Sequence, residues 1–175
     1  MRNYTEMISF LPEAERLSIP SKTLLLKEGK IARKLYLIQK GCLRLFFYNK
    51  GNDVTFQFFF EGDVVASFDS MYFNQPSSFY LESIEPTELF QIRREDFFNL
   101  LHESIELREC YEKKLIERFS TYQQLFMDQI KLTPQQRYEK LITEHPNIIQ
   151  RIPQHYIASY LGVTPVSLSR IRNRL

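Results

Sequence analysis

KEGKIARKLYLIQKGCLRLFFYNKGND, residues 27–53, reads as two apolar runs set between polar corners that each hold a glycine. KLYLIQ and CLRLFFY are rich in leucine, phenylalanine and tyrosine and too short for helices, so both read as strands. The corners EGK, QKG and NKGND call for a backbone with positive φ, which glycine adopts without steric penalty. The same grammar extends outward to KTLLLK upstream and VTFQFFF and the EGD corner downstream. Gly29, Gly41, Gly51 and Gly62 fall 12, 10 and 11 residues apart. Turns at that interval between apolar strands point to a jelly-roll, a cupin-like double-stranded β-helix. Phe56, Phe58 and Phe60 stand on alternate positions and predict one aromatic face turned inward.

The pattern changes near Arg93. Residues 94–102 read as a short helix, and a long one follows over 104–131. In the long helix Leu107, Tyr111, Leu115, Phe119, Tyr122, Phe126 and Ile130 recur at three- and four-residue steps and mark one apolar face. At its rise per residue such a helix is about 40 Å long, more than a small barrel needs to cover it. Part of the stripe therefore reads as a dimer seam, with Tyr111, Leu115, Phe119, Tyr122 and Phe126 as its residues. Thr133, Pro134 and Gln136 then fit the N-cap, first turn and reciprocal position of a capping box, and that helix ends near Glu144 before Pro146. The fold class is α+β. Its expected divisions are a roll over 1–103, the long helix over 104–131 and a helical domain over 132–175.

Within the last division, QHYIASYL (154–161) carries Ile157, Ala158 and Leu161 on one face. Gly162 and Val163 form a break, and Thr164-Pro165 opens a second helix with Leu168 and Ile171 inside. Helix, glycine turn, helix, with a small alanine where two helices cross, is the spacing of a helix-turn-helix, whose second helix enters the DNA major groove. Charge agrees with this reading. From 131 to 175 there are seven Lys/Arg and two acids, and no acid follows Glu144. The rest of the chain holds 16 basic and 19 acidic residues, so the positive charge is concentrated where phosphate would be met. With Leu168 and Ile171 inward, Pro165, Val166, Ser169 and Arg170 lie outward. Arg170 is the candidate base reader, since guanidinium pairs bidentately with guanine, and Val166 suits a thymine methyl. Ser169 could serve base or phosphate, while Gln154, Thr164, Ser167, Arg172, Asn173 and Arg174 complete the DNA-facing set, mostly as backbone clamps. For Arg172 and Arg174 the competing role is complementing the dipole at a helix C-terminus.

What is missing narrows the function further. The chain has 175 residues, 43% hydrophobic and 25% charged, with a net charge of +2, an ordinary globular balance. No apolar run is long enough to span a membrane, and residues 1–10 lack the basic start and apolar block of a secretory signal. Cys42 and Cys110 cannot build a disulfide framework and read as cytoplasmic thiols. No histidine precedes His102, so the barrel cannot offer the imidazole ligands of a cupin metal site. No phosphate loop, nucleophile elbow or H-E-x-x-H pair occurs, and no catalytic residue, metal or cofactor is expected.

KEGKIARKLYLIQKGCLRLFF (27–47), FEGD (60–63) and IASYLGVTPVSLSRIR (157–172), in that order, resemble the Crp/Fnr family of bacterial transcription regulators. The resemblance implies a homodimer through the long helix, an effector domain at the N-terminus and a palindromic operator. Contacts to RNA polymerase, and with them activation or repression, have no residue signature here. The sequence also departs from the family. Ala66-Ser67 stands where a cyclic-nucleotide cassette has Gly-Glu, and Ser77-Ser78 where it has Arg-Ser. Serines cannot neutralise a cyclic phosphate, so cyclic AMP is not expected by the usual mode, although Arg44 offers an alternative cation. Ser67, Asp69, Ser77, Ser78 and Tyr80 are the candidate lining for another small-molecule effector, if one exists. Two cysteines are too few for an iron–sulfur cluster. No residues follow Leu175 to build the β-hairpin wing of other members, so the second helix is expected to carry most of the DNA contact. The rival reading is a protein-interaction or ligand-binding module on the same roll, without DNA.

Overall fold

The structure, a computed structural model, describes residues 14–174. The reading of residues 1–10, and Leu175, lie outside the described residues. The strands run β1 (Glu15–Ile19), β2 (Leu24–Leu26), β3 (Lys34–Lys40), β4 (Leu43–Asn49), β5 (Asn52–Phe59), β6 (Val64–Val65), β7 (Tyr80–Ser83) and β8 (Thr87–Arg93). They form two four-stranded sheets in the orders β1-β8-β3-β6 and β2-β7-β4-β5. Apart from the β4–β5 hairpin, chain neighbours thus fall in opposite sheets while distant strands pair, as in a jelly-roll. Helix α1 (Phe68–Phe73) interrupts the strands. After β8 come α2 (Arg94–Glu103), α3 (Ile105–Lys131), α4 (Pro134–Glu144), α5 (Pro146–Arg151), α6 (Gln154–Tyr160) and α7 (Pro165–Arg172). The expected α+β class and the change of grammar at Arg93 are both present.

KLYLIQK shows why its apolar run is continuous rather than alternating. Leu35, Tyr36, Leu37 and Ile38 of β3 are all buried. Leu35 and Leu37 join Phe97 and Leu101 of α2, Leu107 of α3 and Met71 of α1 in one cluster. Tyr36 turns the other way, toward β2, where its hydroxyl donates to the Leu25 carbonyl at 3.5 Å. Each such buried side chain contributes about 1.5–3 kcal/mol. Gly41 shows what its corner requires: φ is +108°, and a Cβ there would lie 2.5 Å from Thr87 Oγ1 and 2.8 Å from Thr87 Cα. The capping box is also as predicted, with Gln136 N–H donating to Thr133 Oγ1 and Thr133 N–H to Gln136 Oε1.

The chain falls into two compact units. One comprises the described residues through Phe47 with Gln57–Glu112, the other Tyr48–Phe56 with Lys113 onward. The tip of the β4–β5 hairpin is thus grouped with the helices, and the long helix is divided between the units. This grouping corrects the expected phenylalanine alternation in β5. Phe58 and Phe59 are both buried, Phe56 and Phe60 are half-buried, and Thr55 is buried. A strand whose two ends belong to different cores need not keep a single buried face.

Candidate nucleic-acid interface

α6 ends at a left-handed Gly162, φ +68°. Its N–H donates to the Ser159 carbonyl at 3.0 Å, and Val163 N–H donates to the Ala158 carbonyl at 2.9 Å. These bonds satisfy the carbonyls left over where the helix stops and send the chain into a new direction. Thr164 then caps α7: its hydroxyl accepts the Ser167 N–H at 3.1 Å and donates to Ser167 Oγ at 3.0 Å. Ile157, Ala158, Leu161 and Leu168 are buried, as are Tyr138 and Leu141 of α4 and Ile148 of α5, and α6 packs against both α7 and α5. Ile171 is half-buried.

That packing leaves one face of α7 outside. Val166 is 61% exposed, and Gln154, Thr164, Pro165, Ser169, Arg170, Arg172, Asn173 and Arg174 are exposed as well. Ser167 is half-buried, its N–H and hydroxyl engaged at the cap. The outward face therefore holds three guanidinium groups, two apolar side chains (Pro165 and Val166) and polar groups, with no carboxylate after Glu144.

The helix pair is held by groups that the pattern of the sequence does not mark. Arg137, in the first turn of α4, donates from Nη1 to the Leu132 carbonyl at 2.8 Å and more weakly to Gln129 at 3.4 Å. Its Nη2 donates to the Leu161 carbonyl at 2.9 Å, at the turn itself. One cation thus satisfies carbonyls at the ends of both α3 and α6. Lys140 binds Asp128 at 2.6 Å, and Gln124 adds a bond to the same carboxylate at 2.7 Å. Burial pushes the Asp128 carboxyl upward, but the bonds from Lys140 and Gln124 and the Lys140 charge outweigh it and hold it below the usual range. Its bond to Asp128 raises the Lys140 ammonium in turn, against some desolvation. Burial pushes the Tyr160 phenol up to about 12, and the Asp128 charge adds to the effect. From the hairpin tip, Thr55 N–H donates to Ser159 Oγ at 2.6 Å. In the sequence Arg137 and Lys140 counted only as positive charge; their partners depend on folded geometry.

The candidate seam is divided. Tyr111 packs edge-on to Phe97 at 5.3 Å and against Phe68 at 5.9 Å, so it belongs to the core of the first unit. Leu115 and Tyr122 are exposed, and Phe119, Phe126 and Ile130 are exposed by 62%, 69% and 70%. An apolar row this open on a helix that is otherwise charged is the kind of surface that association covers.

The candidate effector residues do not converge on one ligand position. Ser67 Oγ donates to Asp69 at 2.8 Å, and Ser77 Oγ donates to the Phe79 carbonyl at 3.0 Å. Ser78 is exposed, and Tyr80 stacks on Phe46 with centroids 4.9 Å apart. Arg44, the alternative cation, is 2% exposed and donates from Nε and Nη2 to Glu82, its cross-strand partner, at 2.9 and 2.7 Å. It also lies 3.9 Å over the Phe46 ring. A buried guanidinium already neutralised by a carboxylate has little charge left for a phosphate.

Residues 16–104 match the family described as cyclic nucleotide-binding domain. No curated protein matches the chain by sequence. Among solved structures, FixK2 from Bradyrhizobium japonicum superposes with a TM-score of 0.80 at 16% identity, over 93% of this chain and 84% of its own. The c-di-GMP responsive global regulator CLP from Xanthomonas campestris gives 0.73 at 17% identity, over 97% and 90%. A transcriptional regulator of the Crp/Fnr family from Eubacterium rectale gives 0.74 at 17% identity, over 97% and 82%. At these identities the likeness is one of fold, and it runs through the roll, the long helix and the terminal helix pair alike.

Proposed function

The chain belongs to the cyclic nucleotide-binding domain family, and from that premise we propose that it is a sequence-specific DNA-binding transcription regulator of the Crp/Fnr type. The observation that carries the proposal is α7: a capped helix in a glycine-turn pair, its exposed face holding Val166, Ser169 and Arg170 and followed by Arg172 and Arg174. In this reading α7 lies in the major groove. Arg170 reads a guanine and Val166 a thymine methyl, while Arg172, Asn173 and Arg174 clamp the backbone. The exposed row of Leu115, Phe119, Tyr122 and Phe126 pairs with its equivalent in a second copy. Two-fold pairing sets the recognition helices about 34 Å apart, so the operator is a palindrome read in successive turns of the groove.

The roll is a regulatory rather than a catalytic domain in this reading, and the protein works in the cytoplasm. Its cassette has Ala66-Ser67 in place of Gly-Glu and Ser77-Ser78 where a cyclic phosphate would need an arginine, and Arg44 is already paired with Glu82. Control by cyclic AMP through the usual cassette is therefore not part of the proposal. Tight, stoichiometric cyclic AMP binding by calorimetry would contradict that point alone.

Selection of bound genomic fragments by the purified protein, followed by affinity measurements over a salt series, tests the central claim. The expected result is a palindromic site bound with a steep loss of affinity as salt rises, because several phosphates are contacted. A flat salt response, or no enrichment of any sequence, would favour a protein-interaction module on the same scaffold.

A further inference from the structure

Beside the turn between β2 and β3 is a cavity of about 300 Å³. Its wall is apolar, with Leu26, Ile31, Tyr36, Ala66 and Leu81 among its lining, and Ser67 supplies the one hydroxyl from the cassette position. Ala66 and Ser67, at the Gly-Glu position of the cassette, line it, whereas Ser77, Ser78, Asp69 and Tyr80 do not, so the position where the cassette's arginine would stand is not part of its wall. Four cations also line it: Lys27, Lys30, Arg33 and Lys34. Glu28, the single acid in this turn, does not, and no other acid does.

The cations are set on a braced turn. Gly29 N–H donates to the Ser77 carbonyl at 2.8 Å, and Ser77 N–H donates to the Lys30 carbonyl at 2.9 Å. Ile31 bridges Pro76, and Ala32 N–H donates to Ser70 Oγ at 2.9 Å. Lys34 is partly engaged, its Nζ donating to Gln91 at 2.9 Å. Among the described residues Lys27, Lys30 and Arg33 make no ion pair. A solvated surface turn ordinarily intersperses acids with its bases, and a ligand pocket ordinarily combines apolar walls with a few convergent polar groups. This site has the walls of a pocket and one sign of charge at its rim.

We propose that this cavity binds a small amphipathic anion, its apolar body against Leu26, Ile31, Tyr36 and Ala66 and its single acidic head among Lys27, Lys30 and Arg33. At about 30 Å³ for each water-sized group, the cavity takes on the order of ten non-hydrogen atoms. That suits a medium-chain carboxylate or a compact aromatic acid. The proposal does not depend on DNA binding.

Calorimetry on the full chain with sodium octanoate and with 1-octanol tests it, because the two share a chain length and differ in the charge of the head. Octanoate is expected to bind once per chain, with octanol at least tenfold weaker. Replacing the exposed cations together, Lys30→Gln with Arg33→Gln, is expected to weaken octanoate at least tenfold and leave octanol unchanged. Ala66→Leu, which fills the wall, is expected to abolish both in a protein whose circular dichroism and melting are checked. Octanoate that fails to bind, binds no better than octanol, or is unaffected by the charge changes would overturn the proposal. So would binding at several sites per chain that survives Ala66→Leu, which would assign the uptake to the exposed row of α3.

Discussion

Replacing Arg137 with methionine keeps the length of the side chain and removes its donors. The last carbonyls of a helix have no partner within it, and Arg137 supplies that partner twice, to Leu132 after α3 and to Leu161 after α6. Its charge also lies at the negative ends of both helices. Hydrogen bonds from a charged group contribute about 1.5–3 kcal/mol each, so two good ones give a gross loss of about 3–6 kcal/mol. Two effects reduce it. Arg137 is half-buried, so water reaches part of what is vacated, and its Nε is a buried donor without an acceptor among the described residues, whose removal relieves a cost. The expected net loss is about 2–3 kcal/mol.

Hydrogen exchange of α6 and α7 is the sharpest assay, since these helices lose their anchor directly. If they open as one unit, their amides should exchange roughly 30 to 150 times faster, the factor that 2–3 kcal/mol implies. Affinity for operator DNA should fall as well, although Arg137 is not among the DNA-facing residues, because part of the binding energy would be used to order the helix pair. Arg137→Lys should recover about half of the loss, since an ammonium can reach one carbonyl but cannot span two. Exchange in α6 and α7 unchanged in Arg137→Met, or a lysine variant as weak as the methionine one, would refute the bridging role.

Arg170→Ala should reduce the preference for operator over random DNA by about 1–3 kcal/mol per half-site while sparing non-specific binding, as measured by competition titration. Phe119→Asp with Phe126→Asp should convert the protein to a monomer in sedimentation without lowering its helix content, because both side chains already face solvent. Asp128→Asn should cost about 1 kcal/mol of stability near neutral pH, read from urea unfolding. The folded Asp128 carboxyl titrates below its ordinary 3.8 and Lys140 above its ordinary 10.5. The pair's contribution is therefore full between those values, lost at the acid end as pH falls through the depressed carboxyl value, and lost at the basic end as pH rises through the raised ammonium value. The gap between variant and wild type should close at both extremes.

What the sequence made legible was local. Glycines at positive φ, the Thr133–Gln136 box and the Thr164 cap are each written within a few neighbouring residues, and each stands where the pattern predicted. The helix pair was legible for the same reason, as Ala158, Gly162 and Leu168 meet within eleven positions of chain. Tyr111 marks where such reading stops. Periodicity assigns it to the same stripe as Phe119 and Phe126, because a helix repeats without regard to what lies opposite each turn. Phe68 and Phe97 claim Tyr111, and no spacing within α3 records that. Arg44 makes the point from the other side: as a lone cation in an apolar strand it reads as available for a phosphate. Register pairs it with Glu82, 38 residues away, and a buried charge that has found its partner is no longer a candidate ligand. The functional residues that could be read were those facing solvent, whose chemistry is their own. Those that could not be read, Arg137 and Ser159 among them, owe their roles to partners supplied by distant turns of the chain.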